Sequence, residues 1–261
     1  MRKSKVLAKW RAGEFARFCS MGHVLPFYIR YAAHYRYDGI WLDLEHRNFD
    51  IREVQHLLAL CQHYDIDCLV RPPTTQRTRL YRYLEDGAAG LMVPFVSDAN
   101  TARDIVMAAK YPPVGNRGLD GAGLDADFGL ESWRSGSTYI ADANRETFIV
   151  AQIETPEAVA NADEIAAVEG IDALFVGPAD LGLRLTTYPE FGMSVDDAVA
   201  RVAAAAKLRG KVWARTASSI EEVDRYRRQG ALMAPHGSDF ALCDVLREAS
   251  EEMDRMLAGT L

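Results

Sequence analysis

The sequence predicts an α/β fold, a (β/α)8 TIM barrel forming one domain over residues 1–261, and three observations predict it. The chain has 261 residues, close to the usual length of such a barrel. Short apolar runs rich in Val, Ile, Leu and Phe alternate with longer segments of helical period, giving eight strand–helix pairs. No GxGxxG motif follows the first run and no Walker lysine motif occurs, so a nucleotide-binding doubly wound sheet loses its main support.

The elements follow in order. The basic N-terminus, MRKSKVLAKWRAGEFARF, reads as a leading helix and lacks the apolar core of a signal peptide. Strands are expected near 17–21, 39–44, 67–71, 90–94, 147–153, 172–177, 211–215 and 231–235. Helices are expected near 26–36, 51–64, 76–86, 98–110, 156–168, 195–209, 219–228 and 239–257, several opened by a capping Asp or Ser. Parallel strands joined by crossover helices bury both sheet faces, and eight of them close without an exposed edge. The segment 111–146, YPPVGNRGLDGAG and onward, is too long and Gly-rich for an ordinary connection. It is expected to leave the fourth unit at the top of the barrel as a functional loop or lid. The last helix carries Leu242, Val245, Leu246, Met253 and Met256, an apolar surface for the barrel or for another subunit.

Composition narrows the partners. The net charge is -7, from 37 acidic and 30 basic residues that are interspersed, which argues against a nucleic-acid surface. A small anionic substrate must then be captured by local groups. No apolar run reaches the length of a membrane span. Cys19, Cys61, Cys68 and Cys243 form no CxxC pair and read as packed thiols in a reducing cytosol.

In a barrel the carboxyl ends of the strands share one surface, so polar residues ending apolar runs converge there. These are Asp43, Glu45 and His46 ending IWLDLEH, Arg71 ending CLVRPP, Gln152 and Glu154 ending IVAQIET, and Asp180 ending LFVGPAD. Glu154 and Asp180 end neighbouring strands and can share one hard cation, Mg²⁺ or Mn²⁺ rather than zinc. The alternative for each is a carboxylate that caps the next helix or pairs with an arginine. Arg71 stays charged and its fork suits a carboxylate or enolate oxygen. His46 opens a loop at this end, where imidazole serves as acid and base. Asp43 and Glu45 point to the same side because strand side chains alternate. The GPAD turn offers the amides of Ala179 and Asp180 to a substrate carboxylate. A cation, a fixed positive charge and a base are the requirements for making an enolate from a 2-oxo acid. The six lysines, Lys3, Lys5, Lys9, Lys110, Lys207 and Lys211, end no strand, which disfavours a Schiff base.

The motifs IWLDLEH, LVRPP, DGAAGLMVPFV, YPPVGNRG, VAQIETPEAV and VEGIDALFVGPADL, in this order, resemble the HpcH/HpaI family of class II aldolases. The likeness is strongest over about residues 38–183. It implies a phosphoenolpyruvate/pyruvate-type barrel, assembled as a homohexamer with an exchanged C-terminal helix. It also implies cleavage of 4-hydroxy-2-oxo acids to pyruvate and an aldehyde, with Mg²⁺, Mn²⁺ or Co²⁺ as metal. By motif, Glu154 and Asp180 would be ligands, Arg71 the enolate-stabilising arginine, His46 the base and Gln152 a substrate contact. Ala179 and Asp180 would bind the pyruvate carboxylate, and Asp43 would lie near the metal-bound water. Glu85 stands near where the family sets an Asp that orients the histidine.

The chain also departs from the family pattern. His46-Arg47-Asn48 replaces EHG or EHA, placing a cation where it would lower the base's pKa or meet an acidic substrate. CSMGHVLPFY and LRLTTYPEFG replace the usual loops after strand one and after GPADL, on the aldehyde side. A metal-dependent decarboxylase of an oxaloacetate-type acid or another lyase using the same enolate site, or a noncatalytic barrel subunit, are the alternative readings.

Overall fold

The computed structural model describes residues 1–259, so the predicted domain limit at 261 lies outside the described residues. Seven parallel strands form one sheet in chain order: β1 Phe18–Met21, β2 Gly39–Asp43, β3 Asp67–Arg71, β4 Gly90–Val93, β5 Phe148–Ile153, β6 Ala173–Val176 and β7 Val212–Arg215. The eighth expected strand, 231–235, makes isolated parallel bridges instead, from Met233 to Ala16 on one side and to Ala214 on the other. Pro235 has no N–H to continue a ladder, and Gly237 turns the chain with a φ of 93°. The segment still bonds to both flanks: the Ala16 amide donates to Leu232 O at 2.8 Å and the Leu232 amide to Trp213 O at 3.4 Å.

The helices are α1 Lys5–Arg11, α2 Pro26–His34, α3 Ile51–His63, α4 Arg77–Glu85, α5 Ala99–Ala109, α6 Tyr139–Glu146, α7 Pro156–Ala160, α8 Ala162–Ala166, α9 Pro178–Thr187, α10 Val195–Leu208, α11 Ile220–Arg228 and α12 Leu242–Leu257. Sequence periodicity locates most of them. In α3, for example, a capping box of Asp50 and Glu53 starts the helix, and Val54, Leu57, Leu58 and Cys61 line its buried face. The helix expected over 156–168 is interrupted at Asn161, where α7 ends and α8 begins. Helices α6 and α9 were not expected; α9 begins where the sequence reads as a turn, with Pro178 in its first turn.

Two cores result. One lies between sheet and helices. The other fills the inner face with Phe18, Leu69, Met92, Phe148, Val150, Phe175 and Ala214. Gly39 and Gly90 leave room for the aromatic rings: a Cβ at Gly39 would lie 2.5 Å from Phe18, and one at Gly90 would lie 2.6 Å from Phe148. Helix α1 stops the amino end of this inner core through Val6, Leu7 and Trp10. Trp10 meets Phe148 edge-on at 5.1 Å. The buried Asp67 fixes α1, accepting from Ser4 Oγ at 2.6 Å and the Val6 amide at 2.9 Å, and pairing with Arg2.

The segment 111–146 is placed opposite to expectation. It follows α5 and precedes β5, and a segment after a helix and before the next strand lies at the amino ends of the strands. There it packs against the N-terminus, with Ser4 donating to Glu146 at 3.0 Å and the terminal amine 3.8 Å from Glu131. It is held together by the buried Arg117–Asp125 pair at 2.8 Å, joined by Tyr139. It therefore closes the end remote from the strand-end carboxylates rather than acting as a lid over them. Cys19, Cys61 and Cys68 are buried free thiols, as expected, whereas Cys243 is exposed on α12.

Removing the stopper has a measurable cost. Trp10→Ala is expected to lower unfolding stability by about 3–5 kcal/mol in chemical denaturation, the range for deleting a large buried aromatic. A loss under about 1 kcal/mol would show that α1 contributes little to the inner core.

Candidate active site

The strand register builds the site. Asp43 and Arg71 are the last residues of β2 and β3 and are direct register partners, so both project from the inner face at the same level. Arg71 Nε and Nη2 donate to the two Asp43 oxygens at 2.9 and 2.8 Å, a bidentate fork. Its Nη1 lies 3.2 Å from Glu45 Oε2, and its guanidinium stacks on Trp41, 4.8 Å from the ring centre. A guanidinium has five N–H groups; the Asp43 fork engages two of them, the Glu45 contact is an ion pair without a hydrogen bond, and three N–H groups are left for a ligand. The side chain is only 8% exposed, which fixes its direction.

Asp43 also accepts from the amides of Glu45 and His46, at 3.1 and 3.4 Å, pinning the loop that carries the histidine. Burial opposes Asp43 ionisation, but the hydrogen bonds and charge of Arg71 outweigh it and hold the carboxyl below its ordinary range. His46 is half exposed and its Nε2 lies 3.6 Å from Glu45 Oε2.

Glu154 follows β5 and is buried. Its Oε2 accepts from the Phe95 amide at 3.1 Å, and its Oε1 accepts from Gln152 Nε2 at 2.6 Å. Gly177 makes the cradle, since a Cβ there would collide with Glu154 Oε1. Asp180 lies in the first turn of α9. The first intrahelical bond runs from the Leu181 amide to Gly177 O at 3.2 Å, and the amides of Ala179 and Asp180 precede it, at the positive end of the helix dipole. Asp180 Oδ1 accepts from Arg184 at 2.8 Å, which leaves Oδ2 to the site.

Electrostatics ties these acids together. Burial raises the Glu154 pKa to about 7; the negative charges of Glu45 and Asp180 add to the effect, against the Phe95 amide and Arg71. Glu45 is raised as well, by burial first, with Arg71 and His46 pulling it back. Glu154 and Asp180 fit a hard divalent cation: both are oxygen donors, one is cradled by a glycine, and their mutual repulsion is what a cation would relieve. Among the described residues no group of three or more His, Cys, Asp or Glu is arranged around a metal position, so water and substrate would have to complete the shell.

Glu85 is not brought to this cluster. It ends α4, ahead of the start of β4, beside Arg82 at 3.7 Å and in the field of Arg117 and Asp125. The orienting role that the resemblance implies is not met inside one protomer, because the end of α4 and the end of β2 lie at opposite ends of the sheet. Several contributors escape a reading of strand ends. Trp41 beneath Arg71 follows from strand alternation. The Phe95 amide, presented at a φ of 54°, and the Arg184 contact have no such signal.

Buried acids with raised pKa values beside a fixed arginine, at the carboxyl ends of a parallel α/β sheet, have the composition of an enzyme active site. Comparison with known proteins sharpens this. Residues 24–244 match the HpcH/HpaI aldolase/citrate lyase family, and the chain belongs to that family. A 2-dehydro-3,6-dideoxy-6-sulfogluconate aldolase of Pseudomonas putida is 35% identical over 211 residues, 79% of each chain. A hydroxypyruvate/pyruvate aldolase of Pseudomonas aeruginosa is 31% identical over 256 residues, 95% of this chain and 91% of the relative. The crystal structure of an HpcH/HpaI aldolase from Desulfitobacterium hafniense DCB-2 superimposes with a TM-score of 0.85 at 31% identity, covering 95% of both chains. No helix among the described residues is long and apolar enough to cross a membrane.

The raised Glu154 pKa makes a stability prediction for metal-stripped protein. A carboxyl easier to protonate in the folded state stabilises below its ordinary pKa, and that contribution is lost as pH rises through about 7. Glu154→Gln removes the loss, so the variant should gain melting temperature over the parent between about pH 5 and about pH 8. A difference that stays flat over this window would show that Glu154 ionises as an ordinary glutamate.

Proposed function

We propose that the chain is a divalent-metal-dependent aldolase that reversibly cleaves a 4-hydroxy-2-oxo acid to pyruvate and an aldehyde. The observation that carries this reading is the fixed Arg71 guanidinium, clamped by Asp43 and Glu45, in the field of the Glu154–Asp180 acid pair. Glu154 and Asp180 would hold the cation, Mg²⁺ or Mn²⁺ with Co²⁺ as a third candidate. When bound, it supplies Lewis acidity toward the carboxylate and keto oxygens of the 2-oxo acid.

The chain's own residues do the rest. The first-turn amides of Ala179 and Asp180 receive the substrate carboxylate, and Gln152, held against Glu154, contacts the same half. The N–H groups of Arg71 that Asp43 leaves free face the keto oxygen, which gains negative charge as the enolate forms. Asp43 keeps Arg71 and the His46 loop in register. In the cleavage direction His46 takes the proton of the 4-hydroxyl. The C3–C4 bond then breaks, its electron pair passing to the enolate while the 4-carbon becomes the aldehyde carbonyl. His46 then returns its proton to C3, which becomes the pyruvate methyl, and the reverse sequence makes the bond.

The same reading completes the architecture. Met233, bridged to Ala214 of β7 and to Ala16 just ahead of β1, supports the segment 231–235 as the eighth stave of a closed (β/α)8 barrel, working as one domain. The exposed apolar residues Leu242, Val245, Leu246 and Met253 of α12 support a homo-oligomer, a hexamer with this helix exchanged. A cytoplasmic setting belongs to the same reading.

Purified protein with pyruvate, an aldehyde panel and Mg²⁺ or Mn²⁺ should form 4-hydroxy-2-oxo acids, and chelation should stop it. Release of CO₂ from oxaloacetate, with no aldol product from any aldehyde, would replace this reading by the decarboxylase. Exchange of the pyruvate methyl protons in D₂O, followed by NMR, isolates the enolate step. His46→Ala should slow that exchange by roughly 10²-fold or more, the usual worth of a general base. Exchange at the parental rate would remove His46 from that role. Arg71→Lys should also be damaging, because one ammonium cannot both grip Asp43 and reach a ligand. Parental kinetics in this variant would refute the enolate contact.

A further inference from the structure

A second set of polar side chains meets at the carboxyl ends of the strands, on the side away from Glu154 and Asp180. It is formed by the turn after β1, the loop after β2 and the 3-10 turn Asp239–Ala241 that leads into α12. Asp239, with a fully buried side chain, accepts from the Gly22 amide at 3.0 Å, and its Oδ2 lies 2.8 Å from His23 Nδ1. Ser238 Oγ bonds its other oxygen at 3.1 Å. The imidazole is thus oriented from behind, with Nδ1 occupied and the Nε2 side left toward solvent; the ring is 54% exposed.

Phe240 stands between two nitrogen-bearing groups. His23 lies 4.7 Å from its ring centre, and the Arg47 guanidinium lies 4.9 Å from it. Gly22 lets them approach, since a Cβ there would come 2.9 Å from Phe240 and 3.1 Å from Arg47 Nε. Arg47 Nη1 also donates to the carbonyl of His46 at 2.7 Å, which places the cation beside the residue assigned as the base. Among the described residues Arg47 has no acidic partner, whereas Arg71 and Arg184 are each tied to carboxylates. An exposed, oriented cation without a carboxylate partner, at the rim of a site in a chain of net charge -7, is available to an anion from outside.

We propose that His23, Arg47 and Phe240 form the acceptor subsite, and that it takes an aldehyde whose far end carries an anionic group such as a carboxylate or a phosphate. This rests on the aldolase reading and adds the substrate class to it. Arg47 and the outward edge of His23 bind the anion, Phe240 packs against the short chain of the aldehyde, and Asp239 keeps His23 aimed. The pyruvate half occupies the side of Arg71 and Glu154, so the two halves meet beside His46.

The test compares matched acceptors in aldol addition with pyruvate: 4-oxobutanoate against butanal, and glyceraldehyde 3-phosphate against glyceraldehyde. The parent should favour the anion in at least one pair. Arg47→Gln should cut that preference, read as a ratio of kcat/KM values, by roughly tenfold, the loss expected for one charge-assisted contact. Arg47→Lys should restore part of it, and His23→Gln should reduce it less than Arg47→Gln does. No preference in the parent, or an equal fall for both members of a pair as damage to the loop would give, overturns the subsite. Pyruvate methyl exchange separates the two claims: exchange without charge preference sinks the subsite alone, whereas no exchange and no addition with any aldehyde sinks the aldolase reading with it.

Discussion

The site depends on one buried bond pair, the fork between Arg71 and Asp43. A guanidinium this deep is tolerable only with its charge matched and its donors engaged, since an unpaired buried cation costs several kcal/mol. Because the two residues are register partners, the fork also locks the ends of β2 and β3 together. Asp43 passes that order to the following loop through the amides of Glu45 and His46. Trp41, one layer below, supplies the face on which the guanidinium lies. The direction of Arg71, the height of the loop and the place of His46 are therefore set by the same few contacts.

Around this fixed charge the acids outnumber the cations. Arg71 holds the Asp43 carboxyl low, whereas burial raises Glu45 and Glu154 and the field of Arg71 offsets it only in part. Asp180 is partly satisfied by Arg184, from its own helix. The imbalance differs in kind from the amino end of the sheet. There Asp67, Asp125 and Glu146 each meet an arginine or an amide, and α1 with the segment 111–146 seals the inner core. One end of the fold is closed, and the other is left with negative charge to spare.

Strand ends were a good guide to this end of the molecule. Alternation along IWLDLEH and the terminal place of Arg71 put Asp43, Glu45 and Arg71 on one side of the sheet, and their contacts follow. The turn GPAD held a helix that the sequence did not signal strongly, because Pro178 suits both. The segment 111–146 was misplaced for a simpler reason: composition marks it as a loop, but only chain direction says which end of the sheet it covers. Glu85 was carried over by motif, and its helix delivers it to the amino end.

By itself the sequence determined the periodicities, the alternating elements, the strand-end acids and the family, since these are local patterns that survive any change in their surroundings. Tertiary structure decided what no local pattern contains. Register made Arg71 and Asp43 a pair. A left-handed residue aimed the Phe95 amide at Glu154. Packing of three distant turns placed His23, Arg47 and Phe240 together. Such contacts join residues far apart along the chain, and their geometry is fixed by how the strands line up and how the core fills.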